Sequence, residues 1–233
     1  LKGSLDLFLS VGTSILLFFL YFKGSVSYWL PFTSAIIPVH PAVFIIVSSL
    51  ILWVSINTTN CTDGVDGLSG TLVLLALTTL GIIFYFVLGH ARVAEYLLVP
   101  NLVDGAGWAI LIFALAGTLM GYLWHNAFPS KVLMGDAGSR ALGFFIGVCV
   151  IISGNPFLLI MTSAMILING GTGLLKVALL RFFKIRIFHT IRFPLHDHMR
   201  KNRSWSPTQV LLKFMIMQVL ISLAVIGIFF KIR

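Results

Sequence analysis

Seven apolar runs, each close to the length that crosses a bilayer, constrain this chain more than any other feature. They fall at about 5–22, 41–56, 71–88, 107–124, 141–153, 156–180 and 207–230, with short polar connectors between them. A membrane-spanning α-helix needs roughly 20 predominantly apolar residues. Strands of a transmembrane barrel would alternate apolar and polar over about ten residues, and the Leu, Ile, Val and Phe of these runs do not alternate. The fold class read from this pattern is all-α, a polytopic transmembrane helix bundle of about seven spans. Composition agrees, because 58% of the 233 residues are hydrophobic and 10% are charged, whereas soluble domains carry about 25% charged residues.

Several helix ends are legible. Ser206-Pro207-Thr208-Gln209 combines an N-cap serine, a proline suited to the first helical position and a glutamine at the capping-box position, so the last span starts there. Asn155-Pro156 offers a similar start to the sixth run, and Asn169-Gly170-Gly171 inside it predicts a kink or break near Gly170. Cys61 and Cys149 suggest neither a disulfide framework nor a zinc site. The chain shows no signal-peptide layout, low-complexity tract or internal repeat. It opens on Leu1 and almost directly on a span, from which we expect that something upstream is missing.

Cytoplasmic loops retain an excess of Lys and Arg. With the N-terminus inside, the inner set is Lys2, Lys131, Arg140, Lys176, Arg181, Lys184, Arg186, Arg192, Arg200, Lys201, Arg203 and Lys213. The outer set is Lys23, Arg92, Lys231 and Arg233, and the two sets make up the sixteen basic residues of the chain. The loops at 57–70, 125–140 and 181–206 then share the cytoplasmic side and hold nearly all the notable polar residues. The outer connectors, at 23–40, 89–106 and around Gly154, are bland by comparison.

In the first inner loop, Asn57, Asn60, Asp63 and Asp66 recur every third residue, and Gly64, Gly67 and Gly70 keep the same interval. Adjacent members of such a series can neighbour one another on a helical turn, and the glycines permit close backbone approach to a ligand. The alternative is a solvated interhelical turn, but carboxylates at a membrane boundary are costly and tend to be functional. No basic residue lies between Lys23 and Arg92, so a metal, a distant basic loop or a substrate must balance them. The second loop places Asp136, between Gly135 and Gly138, where the next helix begins. There it could cap that helix or hold a cation. The third contains His196-Asp197-His198 among basic residues, a set able to bind phosphate, orient a carboxylate or ligate a metal. Its cations could equally bind anionic headgroups, at roughly 1 kcal/mol each. His40, His90, His125 and His189 belong to no motif and read as packing or anchoring residues. A nucleotide diphosphate could approach these acids only with Mg²⁺ between them, and phosphoryl transfer at the membrane surface fits the inventory.

Three segments carry a family resemblance: Asn60-Cys61-Thr62-Asp63-Gly64-Val65-Asp66-Gly67-Leu68, Met134-Gly135-Asp136-Ala137-Gly138-Ser139 and Pro194-Leu195-His196-Asp197-His198. In this order, with the Trp-His-Asn-Ala-Phe-Pro stretch before Asp136, the chain resembles the phospho-N-acetylmuramoyl-pentapeptide transferases of bacterial peptidoglycan synthesis. These belong to the wider polyprenyl-phosphate N-acetylhexosamine-1-phosphate transferases, and the resemblance covers essentially the whole chain. It implies Mg²⁺-dependent transfer of phospho-MurNAc-pentapeptide from UDP-MurNAc-pentapeptide to undecaprenyl phosphate, giving lipid I and UMP. By motif, Asp136, Asp63, His196 and His198 take catalytic positions, with Asp136 as the metal ligand. Asn60, Gly64, Val65, Asp66, Asn126 and Asp197 take substrate-binding positions, the 63–66 segment lying around the uridine and diphosphate. The implied setting is the bacterial cytoplasmic membrane, with membrane lipids around the protein, the site facing the cytoplasm, no nucleic-acid partner and a homodimer as a family expectation.

Two departures bear on this. The family's three successive histidines read here as His196-Asp197-His198, which introduces an acid at the centre. The paired-aspartate motif with a downstream lysine, expected ahead of the first span, is absent. Members of the family have ten spans, so residues 1–233 are expected to form a single transmembrane transferase domain without its N-terminal helices, inactive alone. Two rival readings stand beside this one. A sister enzyme would transfer GlcNAc-1-phosphate to the same lipid and share the aspartate motifs. A lipid or solute transporter would place charges near span midpoints, whereas the acids here cluster at one boundary.

Overall fold

The computed structural model describes residues 2–30, 35–187 and 190–231. His189 and Arg233, expected as a packing residue and as part of the outer set, lie outside the described residues. The helices are α1 (Lys2–Tyr21), α2 (Pro41–Thr62), α3 (Leu68–Leu88), α4 (Ala91–Leu97), α5 (Gly105–Asn126), α6 (Gly135–Ile152), α7 (Leu158–Thr162), α8 (Ala164–Phe183), α9 (Leu195–Asn202) and α10 (Pro207–Lys231). Among the described residues, α1, α2, α3, α5, α6, α8 and α10 are long and apolar enough to cross a membrane. The chain is a multi-pass membrane protein of the expected all-α class. A two-stranded antiparallel hairpin, β1 (Ser27–Trp29) with β2 (Ile36–Pro38), pairs Tyr28 with Ile37 in the connector between α1 and α2.

On the first span the distribution of side chains is inverted relative to a soluble protein. On α1, Ser10 and Ser14 are 0% exposed while Phe8 is 81% and Leu20 74% exposed. Water would impose the reverse arrangement, whereas lipid rewards an apolar exterior with small polar residues at helix contacts. The buried hydroxyls are satisfied by the carbonyl one turn back: Ser10 Oγ donates to Asp6 O at 2.6 Å and Ser14 Oγ to Ser10 O at 2.8 Å. Small residues also bring α2 against α6. A Cβ added at Gly143 would meet Ser55 O at 2.5 Å, and Ser55 Oγ donates to Gly143 O at 2.6 Å.

Helix starts follow the local signals. Ser206 N–H donates to Gln209 Oε1 at 3.0 Å and Gln209 N–H to Ser206 Oγ at 3.2 Å, the reciprocal pair expected of a capping box. Asn155 Oδ1 accepts from Phe157 N–H at 3.0 Å where the sixth run begins. That run is not one helix, however. It is interrupted at Ser163, between α7 and α8, and the Asn169-Gly170-Gly171 cluster forms the end of a π-helical turn (Leu167–Gly171). Gln218 of α10 bridges the gap, accepting from Met165 N–H at 2.8 Å and donating to Thr162 O at 3.0 Å. A break in apolar surroundings requires such substitutes, because no water reaches the freed backbone groups.

The polar loops are shorter than the sequence suggested. Asn57 and Thr62 return hydrogen bonds to Trp53 O and Thr58 O, both at 2.8 Å, so α2 continues to Thr62 and only residues 63–67 form the turn into α3. The second connector shrinks likewise to 127–134. These two turns and α9 meet at one end of the bundle. Trp29 of the hairpin instead donates to Ser153 O at 2.8 Å, at the other end.

Candidate active site

Asn60, in the last turns of α2, organises the site. Its Nδ2 donates to Asp136 Oδ1 at 3.1 Å and to Ser139 Oγ at 3.0 Å, and its Oδ1 accepts from Arg140 Nη2 at 3.2 Å. A flipped carboxamide would turn its N–H groups onto a guanidinium, so Arg140 sets the orientation. Arg140 is ion-paired with Asp6 of α1, a pair whose side chains are only 21% and 12% exposed. Asp136 therefore sits at the end of a chain of charged and amide contacts that joins α1, α2 and α6. It occupies the first turn of α6 without making a capping hydrogen bond, its carboxylate is half open to solvent, and Lys2 pairs with its Oδ2.

Asp63 ends α2. Burial and, secondarily, the nearby Asp136 charge push its carboxyl above the usual range, and among the described residues no cation is paired with it. Asp66 is anchored, its Oδ2 accepting from Ser130 N–H at 3.1 Å. Asn126 ties the two turns together, accepting from Gly67 N–H at 2.9 Å and donating to Val132 O at 2.6 Å. Val65 points into the hydrophobic core, and the buried Tyr122 hydroxyl has no hydrogen-bond partner among the described residues.

The third segment reaches this turn through His196. That ring is 3% exposed and lies so close to Gly64 that an added Cβ would overlap Nε2. Burial pulls its pKa below the ordinary imidazole value, Asp197 opposes this and Arg200 adds to it. His198 Nδ1 accepts from Arg192 N–H at 3.3 Å, and Asp197 lies in the first turn of α9. The structure thus gathers Asn60, Asp63, Gly64, Asp136 and His196 around the end of α2, with Asp66 and Asn126 on the adjoining turn. Asp6, Arg140 and Asn169 were missed as members of this assembly. An acid at the head of an apolar run was a usable signal for Asp6, whereas nothing local distinguished Asn169 from a helix-weakening residue.

Among the described residues no group of three or more His, Cys, Asp and Glu side chains is gathered as metal ligands. A cation here would be held by one or two carboxylates, with water and substrate oxygens completing its shell. Hard-oxygen sites for Mg²⁺ at phosphates have this composition, and Asp136 with Asp63 beside it fits.

Comparison with known proteins bears on the same residues. The family model described as glycosyl transferase family 4 matches residues 1–154. A phospho-N-acetylmuramoyl-pentapeptide-transferase of Treponema pallidum (strain Nichols) is 64% identical over 232 residues, covering 100% of this chain and 64% of the relative. Proteins of the same name from Campylobacter jejuni subsp. jejuni serotype O:6 and Campylobacter hominis are 35% and 34% identical over 212 residues, covering 88% and 91% of this chain and 57% and 58% of theirs. The chain thus spans about two-thirds or less of the length of these curated relatives. With the family model matched from the first span to the end of α6, where Asn60, Asp63 and Asp136 stand, the chain belongs to glycosyl transferase family 4.

Proposed function

We propose that this chain carries most of the active site of a phospho-N-acetylmuramoyl-pentapeptide transferase. Its substrates are then UDP-MurNAc-pentapeptide and undecaprenyl phosphate. The observation that carries the chemistry is the seating of the Asp136 carboxylate by Asn60 at the end of α2, next to the turn that carries Asp63, a carboxyl with no paired cation among the described residues. The names of the relatives choose the donor. The excess of basic residues at this end supports a site facing the cytoplasm of a bacterial inner membrane.

In the reaction, a phosphate oxygen of the acceptor lipid attacks the donor phosphorus that bears the sugar. A new P–O bond closes the lipid-linked diphosphate, the bond from that phosphorus to the oxygen of the uridine-bearing phosphate breaks, and UMP departs with the electron pair. Asp136, with Asp63 beside it, would hold Mg²⁺, which when bound neutralises charge developing on the phosphoryl oxygens. Asn60 orients the Asp136 carboxylate. The 63–67 turn offers backbone at close range because Gly64 has no side chain, and His196 presents Nε2 to that turn. A desolvated imidazole is neutral near pH 7 and able to accept or share a proton at Nε2.

The test is UMP release by the full-length protein in lipid, supplied separately with UDP-MurNAc-pentapeptide and UDP-GlcNAc. Asp136→Asn should lower turnover by at least about a hundred-fold. Undiminished turnover in that variant would remove Asp136 from the mechanism. Consumption of UDP-GlcNAc alone would assign the chain to the sister reaction, and lipid or solute flux without UMP would make it a transporter.

A further inference from the structure

Asn169 lies in the π-helical turn Leu167–Gly171 of α8, is 0% exposed, and meets His196 through both backbone and ring. Its Oδ1 accepts from the His196 backbone N–H at 2.9 Å. The ring Nδ1 stands 3.1 Å from Asn169 Nδ2 and 3.2 Å from Asn169 Oδ1. The two contacts to Nδ1 are chemically distinct. When Nδ1 bears a proton it donates to Oδ1, which has a second lone pair for the purpose, and Nε2 is then a free acceptor. When Nδ1 is bare it accepts from Nδ2–H, and Nε2–H becomes a donor. One carboxamide therefore serves both neutral tautomers, and the imidazolium too, with no movement of either side chain.

We propose that Asn169 is a positioning residue of the active site: it clamps His196 by backbone and ring together and lets the imidazole exchange its proton at Nε2, against the Gly64 turn, without leaving its place. This rests on the transferase reading for its purpose, but the clamp itself stands on geometry alone. The π turn has a part in it. A wider turn displaces side chains from the regular helical register, and here that register brings Asn169 to the first residues of α9 rather than to lipid. The charged groups bearing on the ring are Asp197 and Arg200 on α9. The packed turn adds Asp63 and Asp66, and Lys176 stands two turns further along α8.

The experiment uses the full-length protein in lipid with ¹⁵N-labelled histidine, His196 signals being identified by their loss in His196→Gln. It compares wild type, Asn169→Asp and Asn169→Leu. A carboxylate can accept from Nδ1–H but cannot donate to a bare Nδ1. In Asn169→Asp the ring should therefore be locked as the Nδ1–H tautomer, and its titration midpoint should rise by about one pH unit or more. Where UMP release is measurable, the acid limb of kcat/KM should move up with that midpoint while KM changes little. Asn169→Leu should free the ring of any tautomer preference, and the isosteric Asp variant carries the test should the Leu variant not fold. An unchanged His196 tautomer and midpoint in Asn169→Asp would overturn the proposal. The imidazole signals are read without substrate, so wild-type protein that releases no UMP overturns the transferase reading and leaves the clamp to be judged by its own spectrum.

Discussion

Replacing Gly64 with alanine is the sharpest perturbation of the site available in a single methyl group. The new Cβ would overlap His196 Nε2 and stand 2.9 Å from Cε1, closer than real Cβ atoms approach another heavy atom, so at a ring this buried something must shift. Two relaxations are open. Either the ring swings away and forfeits its bond to Asn169, or the 63–67 turn retreats and carries Asp63 out of its relation to Asp136. A buried donor or acceptor left unpaired costs about 1–3 kcal/mol. Displacing the ring orphans one group on each partner, so we expect about 2–6 kcal/mol in total. Expressed in the transition state, this is roughly a 30- to 25,000-fold loss of kcat/KM. The assay is UMP release by Gly64→Ala beside Gly121→Ala, a helical glycine whose added Cβ meets nothing within 4 Å and whose replacement should be neutral or slightly stabilising. Wild-type kcat/KM together with wild-type thermal stability in Gly64→Ala would refute the account of a His196 ring seated on that glycine.

The buried Arg140–Asp6 pair predicts a non-additive cycle: Asp6→Leu alone should lower the unfolding temperature and the activity, because it strands Arg140 and loosens the Asn60 carboxamide. Adding Arg140→Leu should restore much of the stability, since removing both members of a buried pair is often nearly neutral. Asp63→Asn should stabilise the protein at pH 7 while abolishing turnover. The raised carboxyl means that the folded state disfavours the ionised form, a penalty present above the folded pKa and relieved as pH falls through it. The gain in unfolding temperature should therefore shrink on acidification and vanish below the ordinary value of 3.8. Gln218→Leu leaves Met165 N–H and Thr162 O without their partner, and should cost about 2–6 kcal/mol of stability, read as a lowered midpoint of thermal unfolding, with the transferase motifs untouched.

The His196 ring adds a second pH signature with the opposite sense. Its lowered pKa makes the folded state prefer the neutral imidazole, so the unfolded chain binds more protons as pH falls below the ordinary value of 6.5. Stability should then decline with acidification through that window.

What could be read from the sequence was local or additive. The seven spans follow from run length against bilayer thickness, and the α10 start from four consecutive residues whose capping bonds close within one turn. The shared end of the motif loops follows from counting crossings. The three motif segments were visible as segments, yet their extent was misjudged. Asn57 and Thr62 looked like loop residues by type but bond back to their own helix, an option that type alone does not reveal. A kink or break in the sixth run was expected near Gly170, where the helix does depart into a π turn; the full interruption at Ser163 was not expected, because Gln218, distant in sequence, supplies the hydrogen bonds that make a gap tolerable there.

Only tertiary packing decided which polar groups meet. Arg140 and Asp6 are 134 positions apart, Asn60 and Asp136 76, Asn169 and His196 27, and no periodicity along one helix encodes a partner on another. In an apolar bundle each buried polar group must find a partner or bear the full penalty of desolvation. The pairs are therefore set by how closely the helices approach, at Gly143 against Ser55 and at Gly64 against His196, and such approach exists only once the helices have packed.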